Sequence, residues 1–314
     1  MALNSRAKLR IVALAGGVGG AKLAHGLAQV LSSEQLTVVV NTGDDFTRYG
    51  LAISPDLDTV MYTLADVADP VNGWGLAGDT RQMIGMLKNY GDDAWFGLGD
   101  KDVATHLLRT QRLASGQTLS QVTAGLSSAL GVHVCLLPMS DDQVSTMVET
   151  ADYGTLAFQE YFVRYRWQPV VTGLRYEGAE RAAPTPGLLD IINQAHAIVI
   201  CPSNPMLSIE PILQVPGIRA ALEQRHVPCI AVSPIIAGQA VKGPAAKLMG
   251  ELGLDASVAG VAAYYDGMID GLVIDTVDKD VQVGPRLLVT NTWMKTIEDR
   301  VRLAGNILDW IESW

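Results

Sequence analysis

Residues 10–45 read RIVALAGGVGGAKLAHGLAQVLSSEQLTVVVNTGDD, and this stretch decides the fold. "RIVALAGG" (10–17) is a short apolar run that ends in glycines. "GAKLAHGLAQVL" (20–31) carries apolar residues at helical spacing, and "LTVVVNTG" (36–43) is a second apolar run. Strand, glycine turn, helix and strand make one βαβ unit. Both strands are continuously apolar, which suits a parallel sheet covered on its two faces.

Outward from that unit the pattern changes and then returns. From about residue 58 to 131 helical patterns dominate: "DTVMYTLADVAD", "DTRQMIGMLKNYG", "DVATHLLRTQRLA" and "TLSQVTAGLSSALG". Asp79, Asp102 and Thr118 are candidate N-caps. "VHVCLLPMS" (132–140) is strand-like, and the β-branched and aromatic residues of 146–167 suggest antiparallel strands. "AIVICPSNP" (197–205), "PCIAVSPII" (228–236), "GLVIDTV" (271–277) and "RLLVTNTW" (286–293) resume the strand series. "EPILQVPGIRAALEQ" (210–224) and "GPAAKLMGELG" (243–253) read as intervening helices, and an amphipathic helix closes the chain. The expected fold class is α/β: a Rossmann-like, doubly wound, mostly parallel sheet in one domain over 1–314. Its core covers roughly 10–57 and 132–314, with a helical insertion over roughly 58–131.

The chain has 314 residues, 48% hydrophobic and 18% charged, which describes a folded globular protein. Its net charge of −10 argues against nucleic acid as a partner, because a phosphate backbone asks for a basic surface. Small phosphate compounds remain open, since backbone N–H groups, lysine and metal meet them locally. Cys135, Cys201 and Cys229 lie far apart in apolar runs, without metal spacing; they read as buried thiols in a reducing compartment. The amino-terminal "MALNSRAKLR" with "IVALAGGVGGA" is too short and glycine-broken for a bilayer span, so no membrane and a cytoplasmic location are expected.

Chemistry can sit in several places. In "GGVGGAK", Gly16, Gly17, Gly19, Gly20 and Lys22 suggest a backbone that approaches a phosphate at a helix N-terminus. The match to the dinucleotide fingerprint is partial, with Lys22 where a small residue belongs; Ala21 and Leu23 break the other phosphate-loop pattern. A tight turn without ligand is the competing reading. "NTGDDFTRYGLAISPDLDT" (41–59) holds Asp44, Asp45, Asp56 and Asp58 beside a strand end. Four such carboxylates repel one another unless a cation, a proton or solvent relieves them, and Mg²⁺ bound by one or two of them with phosphate oxygens would do so. Solvated turns and a helix N-cap are the plainer alternative. Ser203, Asn204, Ser233, Lys242 and Lys247 follow late strands and are expected to face the same crevice, unless they serve turn chemistry alone. His106 and His133 lack partners at motif spacing, so neither a triad nor a zinc site is supported.

Taken together, "GGVGGAKLAHGL", "VVVNTGDD", "ISPDLDTVMYTL", "LGDKDVATH", "LPMSDDQVSTMVET", "PSNPMLSI" and "VSPIIAGQAVKGPAAKLM" resemble the CofD/FbiA family, the 2-phospho-L-lactate transferases of deazaflavin coenzyme biosynthesis. The resemblance implies a homodimer and a donor in which guanosine diphosphate carries a lactyl- or enolpyruvyl-type acid. The implied acceptor is Fo, a hydroxydeazariboflavin whose ribityl hydroxyl attacks the distal phosphorus, with Mg²⁺ present and GMP released. It puts the glycine loop and "PSNP" on the nucleotide side. Asp56, Asp58, Gly97, Asp100 and Lys101 fall on the Fo side. Asp58 is expected to orient or deprotonate the hydroxyl, with Asp45 as metal neighbour and Asp58 as a second metal candidate. Gly97 departs from the polar or basic side chain expected there, leaving contact to backbone or Lys101.

Two other functions compete. A non-catalytic nucleotide-binding regulator of the gluconeogenesis-factor type resembles the first βαβ unit, but "FTRYGLAISPDLDT" replaces its Gly/Ser-rich turn. An NAD-dependent oxidoreductase is opposed by the imperfect fingerprint and the surplus of acids. The sequence leaves the donor acid open among phospholactate, phosphoenolpyruvate and phosphoglycerate.

Overall fold

The run at 11–15 becomes an interior strand of a seven-stranded sheet in a computed structural model that describes residues 8–314; readings on the first seven residues lie outside it. The strands are β1 (Ile11–Ala15), β2 (Leu36–Val40), β3 (Cys135–Pro138), β4 (Ala197–Ile200), β5 (Cys229–Val232), β6 (Gly271–Ile274) and β7 (Arg286–Val289). They lie in the order β7-β6-β5-β4-β1-β2-β3, and every neighbouring pair is parallel. The order runs outward in both directions from β1 and β4. That pair is the topological switch point, where doubly wound sheets take their ligands.

Each strand feeds two cores by alternation. Val12, Leu14, Ile198 and Ile200 join one face; Ile11, Ala13, Ala15 and Val199 join the other. The second face is covered by α1 (Gly17–Val30), α2 (Pro55–Leu64), α5 (Leu119–Ala129) and α6 (Ile297–Glu312), through Leu23, Val60, Val122 and Leu303 among others. Between α2 and α5 come α3 (Gln82–Asn89) and α4 (Asp102–Ala114). The first face carries the helices Leu188–Asn193, Ala245–Glu251 and Val258–Tyr264. It also carries the antiparallel sheet that residues 146–167 suggested, built from Ser145–Thr150, Gly154–Ala157 and Val171–Glu177.

Three elements differ from expectation. The helix after the aspartates starts at Pro55 and packs on α1, so it belongs to the cover of the sheet. A proline at the first helical position lacks only an N–H that had no intrahelical partner. "EPILQVPGIRAALEQ" breaks into Glu210–Gln214 and Ile218–Glu223, because Pro216 cannot continue the bonding and Gly217 takes a φ of +89°. The caps of the insertion are crossed. Asp79 accepts from the N–H groups of Lys101 (2.8 Å) and Asp102 (3.0 Å), and so caps α4. Asp100 accepts from Gln82 and Met83 (2.9 Å each), and so caps α3. Asp102 lies inside the first turn of α4 instead of capping it. Thr118 caps α5 as expected, in a reciprocal box with Gln121. Among the described residues no helix is long and apolar enough to cross a membrane.

Candidate active site at the switch point

The loops that leave β1 and β4 lie against each other. The Gly16 N–H donates to Ser203 Oγ at 3.1 Å, and the Ser203 hydroxyl donates to the Gly16 carbonyl at 2.8 Å. A Cβ on Gly19 would overlap the Pro202 carbonyl, and one on Gly20 would overlap Ser203 Oγ. A Cβ on Gly16 would stand 2.5 Å from the Asp56 carboxylate and 2.6 Å from Ser208 Cβ. The glycines are therefore required by contact between two loops, before any ligand is considered. Gly19→Ala is expected to lower thermal stability by about 2 kcal/mol and to weaken nucleotide binding, since a methyl against backbone forces the loops apart. Calorimetry with a GDP titration checks it; unchanged values for both would show that the loops separate freely.

The first-turn N–H of Gly17 donates to Asp56 Oδ1 at 2.7 Å. The positive end of α1 thus faces a protein carboxylate. Asn41, directly after β2, ties the acids together: its amide reaches Asp56 Oδ2 at 3.0 Å and Asp44 Oδ1 at 3.4 Å. Gln159 Nε2 reaches Asp44 Oδ2 at 3.3 Å. Asp45 accepts from Ser54 Oγ at 2.6 Å, while its other oxygen is buried without a partner. Burial pushes the Asp44 carboxyl well up, and the charges of Asp56 and Asp45 add to it. Burial also pushes Asp45 well up, against the opposing pull of the Ser54 hydrogen bond and Arg109. Asp56 rises to about 6 by burial, although Asn41 and the Gly17 N–H favour its charged form. Burial first and the neighbouring charges second favour the protonated carboxyls here, and a proton or a cation would relieve them.

Asp58 has a different neighbourhood. Arg109 of α4 grips it with both terminal nitrogens, one of them at 3.0 Å from Oδ2. Arg109 is 2% exposed and Asp58 5%. His106 Nδ1 lies 3.6 Å from Asp58 Oδ2, and His106 Nε2 lies 3.2 Å from Asp102 Oδ2. The Tyr62 hydroxyl donates to Asp102 Oδ1 at 2.7 Å. Among the described residues, Asp58, Asp102 and His106 are the group of three whose ligand atoms fall within 4.8 Å of one another. Arg109 already neutralises Asp58 there, so a cation would have to displace a buried guanidinium. The orphan oxygen of Asp45 and the raised carboxyls of Asp44 and Asp56 fit a hard divalent ion better.

The other expected residues divide. Asn204 Oδ1 accepts from Met206 N and Leu207 N (3.0 and 3.2 Å), capping the π-helical turn Pro205–Ile209. The buried Ser233 hydroxyl closes a turn onto Ile235, at 2.9 and 3.1 Å. With Ser203 they are turn and packing groups, the plainer of the two readings. Lys22 Nζ donates to the Met294 carbonyl at 2.9 Å, and Lys242 Nζ to the Asn72 carbonyl. Lys247 is bound to Pro169 O at 2.8 Å and Glu251 at 2.7 Å. Lys101 Nζ donates to Ala77 O at 3.2 Å, and the Asp100 carboxylate serves as a cap. At Gly97 the Arg81 guanidinium lies 3.4 Å from where a Cβ would stand, so a basic group reaches that place from another position. Asn41 and Arg109 were missed. Asn41 stood in the quoted stretch as the first polar residue after a strand; Arg109, within an ordinary amphipathic helix, carried no local signal.

A family model described as 2-phospho-L-lactate transferase CofD matches residues 11–292. A phosphoenolpyruvate transferase of Streptomyces griseus is 46% identical over 275 residues, 86% of each chain. A 2-phospho-L-lactate transferase of Methanocaldococcus jannaschii is 40% identical over 308 residues, 96% of this chain and 98% of that one. The crystal structure of a UPF0052-family protein from Bacillus halodurans matches with a TM-score of 0.63 at 15% identity, over 96% of this chain and 99% of that one, a likeness of fold alone. With its ordered motifs set at the switch point of a doubly wound sheet, the chain belongs to the CofD family, the 2-phospho-L-lactate transferases.

Proposed function

We propose that this chain transfers a phospho-acid of the 2-phospho-L-lactate or phosphoenolpyruvate type from a guanosine diphosphate donor to the ribityl hydroxyl of Fo. The hydroxyl oxygen bonds to the phosphorus that bears the acid, the bond between the two phosphates breaks, and GMP departs. The observation that carries the reading is the carboxylate cluster around Asn41, set against the N-terminus of α1 in a chain of this family.

The chemistry asks for position and charge neutralisation more than for a protein nucleophile. The first-turn amides of α1 beyond Gly17 have no intrahelical acceptors and suit a phosphate oxygen. Asp45 and Asp44 would hold Mg²⁺, which would supply neutralisation of the diphosphate charge. Asp56, titrating at about 6, is suited to take the proton of the hydroxyl near neutral pH. Asp58, given that role on sequence grounds, instead holds Arg109 and with it α4. A cytoplasmic location and a homodimer complete the proposal.

The test incubates purified protein with Mg²⁺, Fo and guanylylated phospholactate, phosphoenolpyruvate or phosphoglycerate in parallel. GMP and a phosphodiester of Fo are expected, and the fastest donor names the acid, since relatives of 40% and 46% identity carry different acids in their names. Tight nucleotide binding with Fo unmodified by all three would hand the site to the regulator reading.

A further inference from the structure

Gln159 reaches the carboxylate cluster from the antiparallel sheet. It stands 115 residues from Asp44 in the chain and is 5% exposed. Its side-chain nitrogen lies 3.3 Å from the Asp44 carbonyl and 3.3 Å from Asp44 Oδ2. One amide group, with two protons to give, thus ties the backbone of Asp44 to its own carboxylate. The carboxylate cannot turn to another rotamer without losing that bond. Asn41 reaches the opposite oxygen at 3.4 Å, so each Asp44 oxygen has a donor and keeps a lone pair for something else.

The segment that delivers Gln159 is fixed at several points. The strand Ser145–Thr150 docks on the loop after β2, where the Thr146 N–H donates to the Gly43 carbonyl at 2.6 Å. The strand Gly154–Ala157 pairs with it and ends just before Gln159. Gln159 then opens the π-helical turn Glu160–Arg164, a rare element that gathers at functional sites. Arg166 and Trp167 follow with φ of +51° and +50°, a left-handed conformation that is unfavourable for residues with a Cβ. Their surroundings hold it: the Trp167 N–H donates to the Tyr161 carbonyl at 2.9 Å, and the Trp167 ring lies 5.5 Å from that of Phe162. Tyr161 itself is fully buried. Arg164 pins the turn to Asp93, between α3 and α4, at 2.7 Å.

Unpaired oxygens collect at the same loop. Thr42 and Thr146 are 2% and 1% exposed, and neither hydroxyl has a partner. A Cβ on Gly43 would stand 2.7 Å from Thr146 Oγ1. Asp45 adds its buried, unpaired oxygen. Buried oxygens without donors suit a ligand that brings positive charge.

We propose that Gln159 is a positioning residue of the transfer site: it holds the Asp44 carboxylate in the orientation in which Asp44 and Asp45 take a divalent cation. The inference rests on the metal role given above to those two acids, and it is independent of which acid the donor carries. Groups that orient a metal ligand change metal affinity by about 10–100-fold when they are lost.

The experiment titrates Mn²⁺ into metal-free wild type, Gln159→Met and Gln159→His, following free Mn²⁺ by its paramagnetic resonance signal. Methionine keeps the length of the side chain and removes the donor. Histidine restores a donor, since its Nε2 stands as many bonds from the backbone as the amide nitrogen. The Kd for Mn²⁺ is expected to rise about tenfold in Gln159→Met, with Gln159→His between it and the wild type. The Mg²⁺ needed for half-maximal turnover should rise in parallel, and saturating Mg²⁺ should restore kcat to within about twofold. A role in folding alone would lower kcat and the melting temperature without moving the Mg²⁺ requirement. A Kd in Gln159→Met within about twofold of the wild type, or a fall in kcat that saturating Mg²⁺ leaves in place, would overturn the inference. The two readings fail separately: Mn²⁺ binding that depends on Gln159 in a protein that releases no GMP from any donor removes the transferase reading alone, whereas an active enzyme with a Gln159-independent Kd removes the positioning role alone.

Discussion

Asp45→Asn is expected to lower turnover by about a thousandfold while raising the melting temperature of the ligand-free protein. An asparagine can keep the Ser54 hydrogen bond through its carbonyl oxygen and remove one charge from the cluster. The sign follows from the carboxyls. Asp44, Asp45 and Asp56 all titrate above an unfolded aspartate, so the folded chain holds protons that the unfolded chain releases. Stability contributed that way is complete at low pH and is lost as pH rises through the folded values. For Asp56 the window runs from roughly 4 to about 6, and the loss is on the order of 3 kcal/mol. The ligand-free wild type should therefore melt lower at pH 7 than at pH 5, and Asp45→Asn should narrow that gap. Scanning calorimetry at both pH values, beside the transfer assay, decides it. A variant that melts lower and also turns over normally would dismiss Asp45 from the site and the cluster from the energetics.

Arg109→Leu is expected to cost about 3–5 kcal/mol, because it leaves the Asp58 charge buried without its guanidinium partner. For a chain of this size that is roughly ten degrees in melting temperature. Replacing both partners by leucine should recover most of the loss, since the desolvation penalty of each charge disappears with the pair. If Arg109→Leu melts within about two degrees of the wild type, the ion pair does not anchor the insertion. Asp58→Asn tests folding as well as catalysis, because it strips the Arg109 guanidinium of its carboxylate partner.

The first βαβ unit was legible because its signal is local: continuous apolar runs, a glycine turn and helical spacing within a few dozen residues. The carboxylate cluster was legible for the same reason. What escaped were contacts across long separations. Asp58 meets Arg109 at a separation of 51 residues, and Gly16 meets Ser203 at 187. The four glycines looked like room for a phosphate; at Gly19 and Gly20 that room is filled by the Pro202 carbonyl and the Ser203 hydroxyl, and at Gly16 by Asp56 and Ser208. Ser203, Asn204 and Ser233 were rightly placed at strand ends, yet their polar atoms satisfy the chain's own turns. Local propensity names a good capping residue but not which helix it will cap, as Asp79 and Asp100 show.

The crossed caps have a consequence for how the insertion comes apart. Each of α3 and α4 begins on a carboxylate delivered by the segment leading into the other. Neither can fray from its start without unseating the group that secures its neighbour. The pair therefore behaves as a single cooperative unit in native-state opening, and amides in both helices should exchange with solvent through one shared event. A helix pair that opens in one step is either wholly in place or wholly absent, and Arg109, which rides on it, meets Asp58 on the same schedule.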